Sequence, residues 1–504
     1  MRRLKVIFYN VLLVMCAVSC INKSEPLSHY IPADAGGVVC VNVPAILADC
    51  GILSDEKVVI PESLQSIIAS NDNQILCKVL NDLPQLGIDV TERAYLYVPT
   101  GKSFEWVLLV RLADEKLTKK VIEMRTGCVA TDVDDADVMT DGDVIYVIKH
   151  DDLLVARSGN PAGAESVKKA AVKLLSDPQN PIDKEALAAI ETPNHIEMVL
   201  RGDAVSLLVS HISFLQPLID DMPLIAMLLD SDIDQIKMWF NLGASQCTMN
   251  VEIGAAEGSD YRTMITSMLQ SPSSEVLYAS PSTMTRIYSA SIKGAEVLKF
   301  EQVEQLLSKI NEMPHLEKLD VKSILSLVDG PLTVATSPST VIDDEYNIVI
   351  ALKTSLPDEI LDIITDFAMH YGQAPVMKNG EYLYEYGTKA IRLGLTDGVV
   401  YMKILDYQQT EGNANEFEDI KHRFDSSSLC YYSSEKISDK EGYFSFGINQ
   451  SGTKGEGLYY VSDPDANAGL SLLEAVCMIK PAERYDSYST REINEVKRKL
   501  KRVN

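Results

Sequence analysis

Apolar and polar positions along the chain follow two spacings, which predict strands and amphipathic helices. The segment EWVLLVRLADEKLTKKVIEMRTG, from Glu105, starts as an apolar run, crosses a charged turn and continues with helical spacing. The segment EYNIVIALKTSLPDEILDIITDFAMHYG, from Glu345, has the same order. Both places therefore predict a strand that leads into a helix.

Two further segments predict hairpins. VIYVIKHDDLLVARSG, from Val144, and AIRLGLTDGVVYMKI, from Ala390, each hold two apolar runs around an acidic turn. A helix is predicted after each of them, over residues 164–175 and 413–424. A second hairpin is then predicted near the end of each half, over residues 237–254 and 443–461.

This repeated order of elements predicts an internal duplication. Hairpins that alternate with single helices favour an α+β fold made of two related domains, each a mostly antiparallel sheet with helices packed on one face. We place the first domain at residues 29–270 and the second at 276–480, on either side of the LQSPSSE segment. An apolar stretch at about 204–232 is predicted to be a helical insertion that covers one face of the first sheet, with a partner or ligand groove as the alternative.

The N-terminus has the layout of an export signal. Three basic residues precede an apolar run from Val6 to Met15, and small residues follow. The run is too short to span a bilayer comfortably, since a transmembrane helix needs roughly 20 apolar residues. Residues 1–19 are therefore predicted to be a signal peptide.

A cysteine follows the predicted signal. Ala17-Val18-Ser19-Cys20 resembles the lipobox of bacterial lipoproteins, which predicts acylation of the Cys20 thiol, for example with palmitate. Cys16 is the weaker candidate because the bulky Met15 precedes it. Residues 20–28 would form a lipidated linker, and Ile21 favours the outer membrane. The face of that membrane, a plain secretory peptide and an uncleaved anchor stay open.

The net charge of the chain limits the classes of partner that it can bind. The chain has a net charge of −26, which becomes −29 when the three basic residues of the signal are removed. Such a surface repels phosphate backbones and anionic headgroups, so we expect no nucleic-acid partner and expect the lipid to supply membrane attachment. Residues 481–504 form a basic C-terminal tail.

The other seven cysteines are predicted to be buried and free. Their number is odd, and they contain no CxxC motif and no dense framework of the kind that small secreted folds need. A single pair such as Cys40 with Cys50 is the alternative.

One loop has the spacing of a cation site. In DPDANAGLSLLE, oxygen-bearing side chains occur at Asp463, Asp465, Asn467 and Glu474 in the order of a calcium loop. Alanine replaces the required glycine, and a strand precedes the loop where a helix is usual. A turn that starts a helix is therefore favoured, and calcium is kept as a weak candidate, the one cofactor considered.

YIPADAGGVVCVNV near the N-terminus and SASIKGAEVLKF in the second half carry a family resemblance. The chain resembles, over about residues 30–480, the Bacteroides-type lipoproteins grouped as domain of unknown function 4836. The resemblance implies an exported, anchored protein with two related halves, and it implies no activity.

These observations predict an exported, lipid-anchored envelope protein that works as a non-catalytic binding or scaffolding module, with an unknown protein or glycan partner. No catalytic residues cluster in the sequence. The alternative is a hydrolase-type enzyme with a site in the cleft between the two halves.

Overall fold

The computed structural model describes the chain between Pro26 and Met478 with gaps. The described residues are 26–54, 57–70, 87–99, 104–159, 164–177, 181–182, 187–188, 190–202, 233–279, 284–300, 303, 307–308, 319–342, 345–369, 376–378, 380–386, 388–406, 418–434, 441–463 and 465–478. The predicted signal peptide, Cys20, the predicted insertion at about 204–232 and the tail at 481–504 lie outside them.

Strands dominate the described part of the chain. They are β1 (Gly37–Val41), β2 (Leu53–Ser54), β3 (Lys57–Val58), β4 (Ala94–Val98), β5 (Phe104–Arg111), β6 (Thr131–Val133), β7 (Ala136–Asp141), β8 (Val144–Lys149), β9 (Asp152–Ser158), β10 (Ile196–Arg201), β11 (Gln235–Leu242), β12 (Gln246–Gly254), β13 (Arg286–Lys293), β14 (Asp329–Pro338), β15 (Tyr346–Lys353), β16 (Val376–Lys378), β17 (Glu381–Tyr386), β18 (Lys389–Thr396), β19 (Val399–Asp406), β20 (Leu429–Ser433), β21 (Gly442–Ile448) and β22 (Lys454–Val461).

The helices fall between these strands. They are α1 (Val43–Asp49), α2 (Glu62–Ser70), α3 (Glu115–Thr126), α4 (Glu165–Ser176), α5 (Asp260–Met268), α6 (Gly294–Val297), α7 (Val321–Ser326), α8 (Pro357–Met369), α9 (Glu418–Ser426) and α10 (Ala468–Met478), with 3₁₀ helices at Leu27–Tyr30 and Glu275–Ala279. Helix α3 shows how the local sequence determines where a helix begins and ends. The Asp114 side chain accepts a hydrogen bond from Leu117 N at its start, and Gly127 ends it in the left-handed region.

The described residues form two compact units. Those up to His195, together with those from Gly469 onward, belong to unit 1, and those from Ile196 to Ala468 belong to unit 2. Unit 1 has an antiparallel sheet in the order β1-β4-β5-β9-β8-β7-β6. Unit 2 has an antiparallel sheet in the order β10-β11-β12-β22-β21-β20-β13-β14-β15-β19-β18-β17-β16.

The same connections occur twice along the chain. The order β13-β14-β15-β19-β18-β17-β16 repeats that of β1-β4-β5-β9-β8-β7-β6, and the antiparallel trio β20-β21-β22 repeats β10-β11-β12. Helices recur at matching places, as α1 and α6, α3 and α8, and α4 and α9. The predicted α+β class with two related halves is confirmed.

The compact units and the predicted domains place their boundary differently. The β11–β12 hairpin, which ends the first half of the repeat, pairs with β22, and Val251 lies opposite Gly455. This pairing places the hairpin in unit 2. The repeat follows the order of elements in the sequence, whereas compactness follows the strand pairs, so the two divisions need not coincide.

Strand alternation separates two apolar layers in unit 2. In β15, Ile350 and Leu352 face helix α8, and Val349 and Ala351 face the other side of the sheet. On that other side, Val349 shares a core cluster with Phe424 of α9 and Leu277 of the second 3₁₀ helix. Among the described residues, no helix has the length and apolar character needed to cross a membrane.

Candidate binding site: an apolar cavity in unit 2

The α8 side of the unit 2 sheet forms the floor of a cavity. Every second residue of its central strands faces this side, and these residues are apolar, as the period of a strand requires. The floor residues are Ala290 and Ile292 of β13, Leu332 and Val334 of β14, Ile350 and Leu352 of β15, Val400 and Met402 of β19, and Leu429 of β20.

Helices supply the remaining walls. Helix α5 contributes Ile265 and Met268 and is followed by Leu269, α6 contributes Val297, and α8 contributes Ile364. Val303, Leu307, Leu319 and the α7 segment with Val321, Ile324, Leu325 and Val328 complete the lining.

The α7 wall is held firmly in place. The Asp320 side chain caps the helix by accepting a hydrogen bond from Ser323 N at 3.0 Å, and this bond together with one from the Ser323 hydroxyl lowers the pKa of Asp320. Gly294 at the start of α6 lies so close to α7 that an added Cβ would stand 1.7 Å from the Leu325 carbonyl oxygen. Gly294 N also donates to Val328 O at 2.9 Å. The position of this wall therefore depends on a glycine.

Among the described residues, no side chain fills the space above the floor. Leu332, Val334 and Ile350 lie on strands with a neighbour on each side, yet they remain partly exposed. The cavity has a volume of about 410 Å³. Apolar surface that side chains leave uncovered lowers stability, so a ligand that covers the floor would stabilise unit 2.

The lining defines what the cavity can bind. Its side chains are aliphatic except for methionines and Tyr401, and the Tyr401 hydroxyl already donates to Glu381 Oε1 at 2.6 Å. The volume falls within the range of small-molecule pockets, roughly 300–1,000 Å³. The cavity therefore suits an apolar molecule, and its lining offers no pair of acid and base groups for catalysis.

The matching position in the first repeat is buried. Arg111, the last residue of β5, pairs with Asp152 at the start of β9, as Lys353, the last residue of β15, pairs with Val399 at the start of β19, so Leu108 stands where Ile350 does. Leu108 is 2% exposed, whereas Ile350 is partly exposed. The space beside this position is thus closed in unit 1 and open in unit 2.

A polar pocket adjoins the apolar cavity. It has a volume of about 510 Å³ and is lined by Thr266, Leu269, Pro272, Asp425, Ser426, Asn449, Gln450 and Ser451. Leu269 lines both spaces. Asp425 Oδ1 accepts a hydrogen bond from Ser274 N at 3.0 Å, and Asn449 Oδ1 accepts one from Thr453 N at 3.0 Å. The pocket therefore presents oxygens and amides next to the apolar wall.

The weak calcium candidate stays a prediction. Asp463, Asp465 and Asn467 lie in the loop before α10, and Asp463 Oδ1 accepts a hydrogen bond from Asp465 N at 3.0 Å. Glu474 lies on α10, in the part of the chain counted with unit 1, and is 4% exposed. Within the described ranges, no group of three or more His, Cys, Asp or Glu side chains could hold a metal ion. The start of α10 at Ala468 agrees with the favoured turn before a helix.

Four described cysteines follow the sequence interpretation. Cys40, Cys50, Cys247 and Cys430 are buried, and none of them is joined in a disulfide within the described residues. Burial raises the pKa of the Cys247 and Cys430 thiols to about 12, so neither is a ready nucleophile. Cys128 is also free but only partly buried.

A buried ion pair in unit 2 was not found from the sequence. Lys389 Nζ donates to Asp406 Oδ1 at 2.7 Å, and Asn347 Oδ1 accepts from both Lys389 Nζ and Asp406 N. Ser339 and Thr340 donate further hydrogen bonds to the Asp406 carboxylate. Every member has partners, so the arrangement is typical of a structural network.

Comparisons with known proteins add little. No family model and no curated protein matches the chain, so the resemblance to domain of unknown function 4836 stays a prediction. Among solved structures, crystal form III of TP0453 aligns at 12% identity over 48% of this chain and 86% of its own, with a TM-score of 0.30. Crystal form I of TP0453 aligns at 11% identity over 47% and 81%, with a TM-score of 0.27. The DNA polymerase III β subunit of Thermotoga maritima reaches a TM-score of 0.11 at 9% identity, over 84% of this chain and 99% of its own. Likenesses this weak carry no argument about function.

Proposed function

We propose that the chain is an exported, lipid-anchored envelope protein that acts by binding, and that unit 2 holds a small apolar molecule. The cavity on the α8 side of the sheet is the observation that carries this proposal. Its lining is apolar, and its volume of about 410 Å³ is costly to leave empty. Binding without chemistry accounts for a wall that has no acid or base groups.

The proposed location rests on the N-terminal sequence. The signal-like pattern and the lipobox-like Ala17–Cys20 support export and acylation of Cys20, the resemblance to Bacteroides-type lipoproteins supports an exported, anchored protein, and Ile21 supports the outer membrane. Nothing in the described part of the chain favours the hydrolase alternative, which stays a prediction.

Binding is tested with the full mature chain, purified without detergent and stripped of bound molecules by organic extraction. The probe is N-phenyl-1-naphthylamine, whose fluorescence rises in an apolar site. Ile350→Phe puts a ring into the space from β15, and Ala290→Leu fills it from β13. We expect both variants to lose the probe signal and to melt no lower than the parent, because filling a void removes its cost.

The matched control is Leu395→Phe. Leu395 is 41% exposed on β18 and does not line the cavity, so this variant should bind the probe like the parent. Saturable probe binding that both filling variants leave unchanged would place the site elsewhere. A parent that binds no probe would overturn the proposal.

Anchoring is tested by growing cells with an alkyne analogue of palmitate and separating membrane from soluble fractions. Cys20→Ser should lose both the label and membrane retention, and Cys16→Ser should keep both. Equal labelling of the Cys20→Ser variant would refute acylation at this residue.

A further inference from the structure

We infer that the ligand of unit 2 is a single-chain amphiphile, whose aliphatic chain lies in the apolar cavity and whose uncharged or cationic polar end lies in the adjoining polar pocket. This inference rests on the proposed function of the cavity and adds the class of ligand. The observation behind it is that Leu269 lines both spaces.

Leu269 is held where it can separate the two spaces. It follows the last residue of α5, and its N–H donates to Ile265 O at 2.9 Å. Its backbone also bridges to Ile292 of β13, and Gln270 N donates to Ser291 O at 2.8 Å. The backbone of Leu269 is therefore fixed on both sides, and one residue borders both spaces.

The contrast between the two linings selects an amphiphile. A molecule that is apolar throughout would leave the polar pocket to water, and a fully polar one would gain nothing from the cavity. A volume of about 410 Å³ lies at the lower end of the range of ligand pockets, roughly 300–1,000 Å³, which favours one chain over two. Each buried methylene should tighten binding about fourfold until the cavity is full.

The polar pocket also selects the charge of the polar end. Asp425 is the charged side chain in its lining, and the other polar groups there, such as Thr266, Asn449 and Gln450, are neutral. None of the described residues that line it is a lysine or arginine. A carboxylate or phosphate monoester would meet Asp425 without a compensating cation, whereas a glyceryl or quaternary ammonium group would meet hydrogen-bonding oxygens or an opposite charge.

The test measures displacement of N-phenyl-1-naphthylamine from the delipidated mature chain. The competitors are 1-monoacylglycerols of increasing chain length, an alkyltrimethylammonium, a fatty acid of matched length and an alkane, each below its micellar concentration. We expect the monoacylglycerol and the ammonium amphiphile to displace the probe at least tenfold more tightly than the matched fatty acid. The affinity of the monoacylglycerols should rise with the length of the acyl chain and then level off once the cavity is full.

Asp425→Asn removes the negative charge but keeps the hydrogen bond to the backbone, because the amide oxygen can still accept from Ser274 N. It should tighten fatty-acid binding severalfold relative to monoacylglycerol binding. The matched control is Asp358→Asn at the start of α8, which lines neither space and should change neither affinity.

Three outcomes decide the matter. The expected preference together with its loss in Asp425→Asn supports the inference. If the probe binds but the competitors show no head-group preference, or the fatty acid or alkane binds more tightly, the inferred class of ligand is wrong. The proposed binding of an apolar molecule would still hold. No probe binding at all overturns both the inference and the proposed function.

Discussion

The buried ion pair of unit 2 should make stability depend strongly on one lysine. Lys389 and Asp406 have side chains 9% and 1% exposed, and their charged atoms are 2.7 Å apart. The Asp406 carboxylate also accepts from Ser339 Oγ at 2.9 Å, from Thr340 N at 2.9 Å and from Asn347 Nδ2 at 3.1 Å. These donors fix the carboxylate in place whether or not the lysine is present.

Lys389→Met removes the cation and leaves the carboxylate buried. Breaking a buried pair from one side costs about 3–5 kcal/mol, because the remaining charge cannot return to water. The three other donors at Asp406 compensate in part, so we expect about 3 kcal/mol in this case. In the double variant Lys389→Met/Asp406→Leu the loss should be smaller than the sum of the single losses, since the two residues interact directly.

The pH dependence gives the sharper test. Burial raises the pKa of Asp406, but hydrogen bonds from Lys389, Thr340, Asn347 and Ser339 outweigh it and hold this pKa well below its ordinary value. A lowered folded pKa contributes stability that is complete above the unfolded pKa, about 3.9, and is lost as the pH falls towards the folded one.

Lys389→Met removes the strongest of these hydrogen bonds, so the pKa of Asp406 rises in the variant. On acidification the parent then loses more of the stability linked to Asp406 than the variant does, because a smaller lowering of the folded pKa leaves less stability to lose. The difference in unfolding free energy between the parent and the variant should therefore be largest near neutral pH and should narrow at about pH 4.

The assay is urea unfolding followed by tryptophan fluorescence. The chain has two tryptophans, Trp106 in unit 1 and Trp239 in unit 2. A Trp106→Phe background therefore lets Trp239 report unit 2. Lys454→Met is the matched control, since Lys454 and Glu252 of the same unit form a 3.8 Å pair with both side chains exposed, and it should change little. A deficit below about 1 kcal/mol at neutral pH, or one that grows on acidification, would refute the reasoning.

Other predictions follow from the walls, the thiols and the loop before α10. Gly294→Ala should destabilise unit 2 by about 3 kcal/mol or more in urea, because its Cβ would meet the α7 backbone, whereas Gly254→Ala makes ordinary contacts and should be tolerated; equal midpoints for the two variants would contradict this. Iodoacetamide at mildly alkaline pH should modify Cys247 and Cys430 only after unfolding, as peptide mass spectrometry would show, and rapid labelling of the folded chain would count against their burial. Calcium should leave the melting temperature unchanged relative to EDTA, and a calcium-dependent rise that Asp465→Asn abolishes would revive the cation site.

Much of the fold is readable from the sequence because local signals agree with the tertiary structure. The apolar run and charged turn from Glu105 become β5 and α3, and the acidic turns after Val144 and Ala390 become the β8–β9 and β18–β19 hairpins. The residues of the turn between β6 and β7 were harder to predict from the sequence. Asp134 and Asp135 both have positive φ, as a two-residue hairpin turn requires, and they join β6 to β7 where the sequence shows only a run of aspartates.

The candidate site was not readable in the same way. Alternating apolar residues in β14 and β15 predict a buried face, but a face that packs against side chains and one that lines a cavity have the same pattern. The difference depends on how far the helices stand from the sheet. Here the contact of Gly294 with α7 contributes to that distance, and it joins residues about 30 positions apart. The Lys389–Asp406 pair was missed for a similar reason, since lysine and aspartate at strand ends usually signal solvent exposure.

Because the two halves share one architecture, a comparison between them shows which features the fold requires and which features a ligand requires. Both halves keep the same strand order, so the sheet alone does not require the cavity. Leu108 and Ile350 occupy matching places, yet the leucine is buried in its own core and the isoleucine is partly exposed in a cavity of about 410 Å³. The first half shows that side chains can close the space beside this register position. The second half leaves that space open, and because exposed apolar surface lowers stability, the space is best explained by a molecule that enters it.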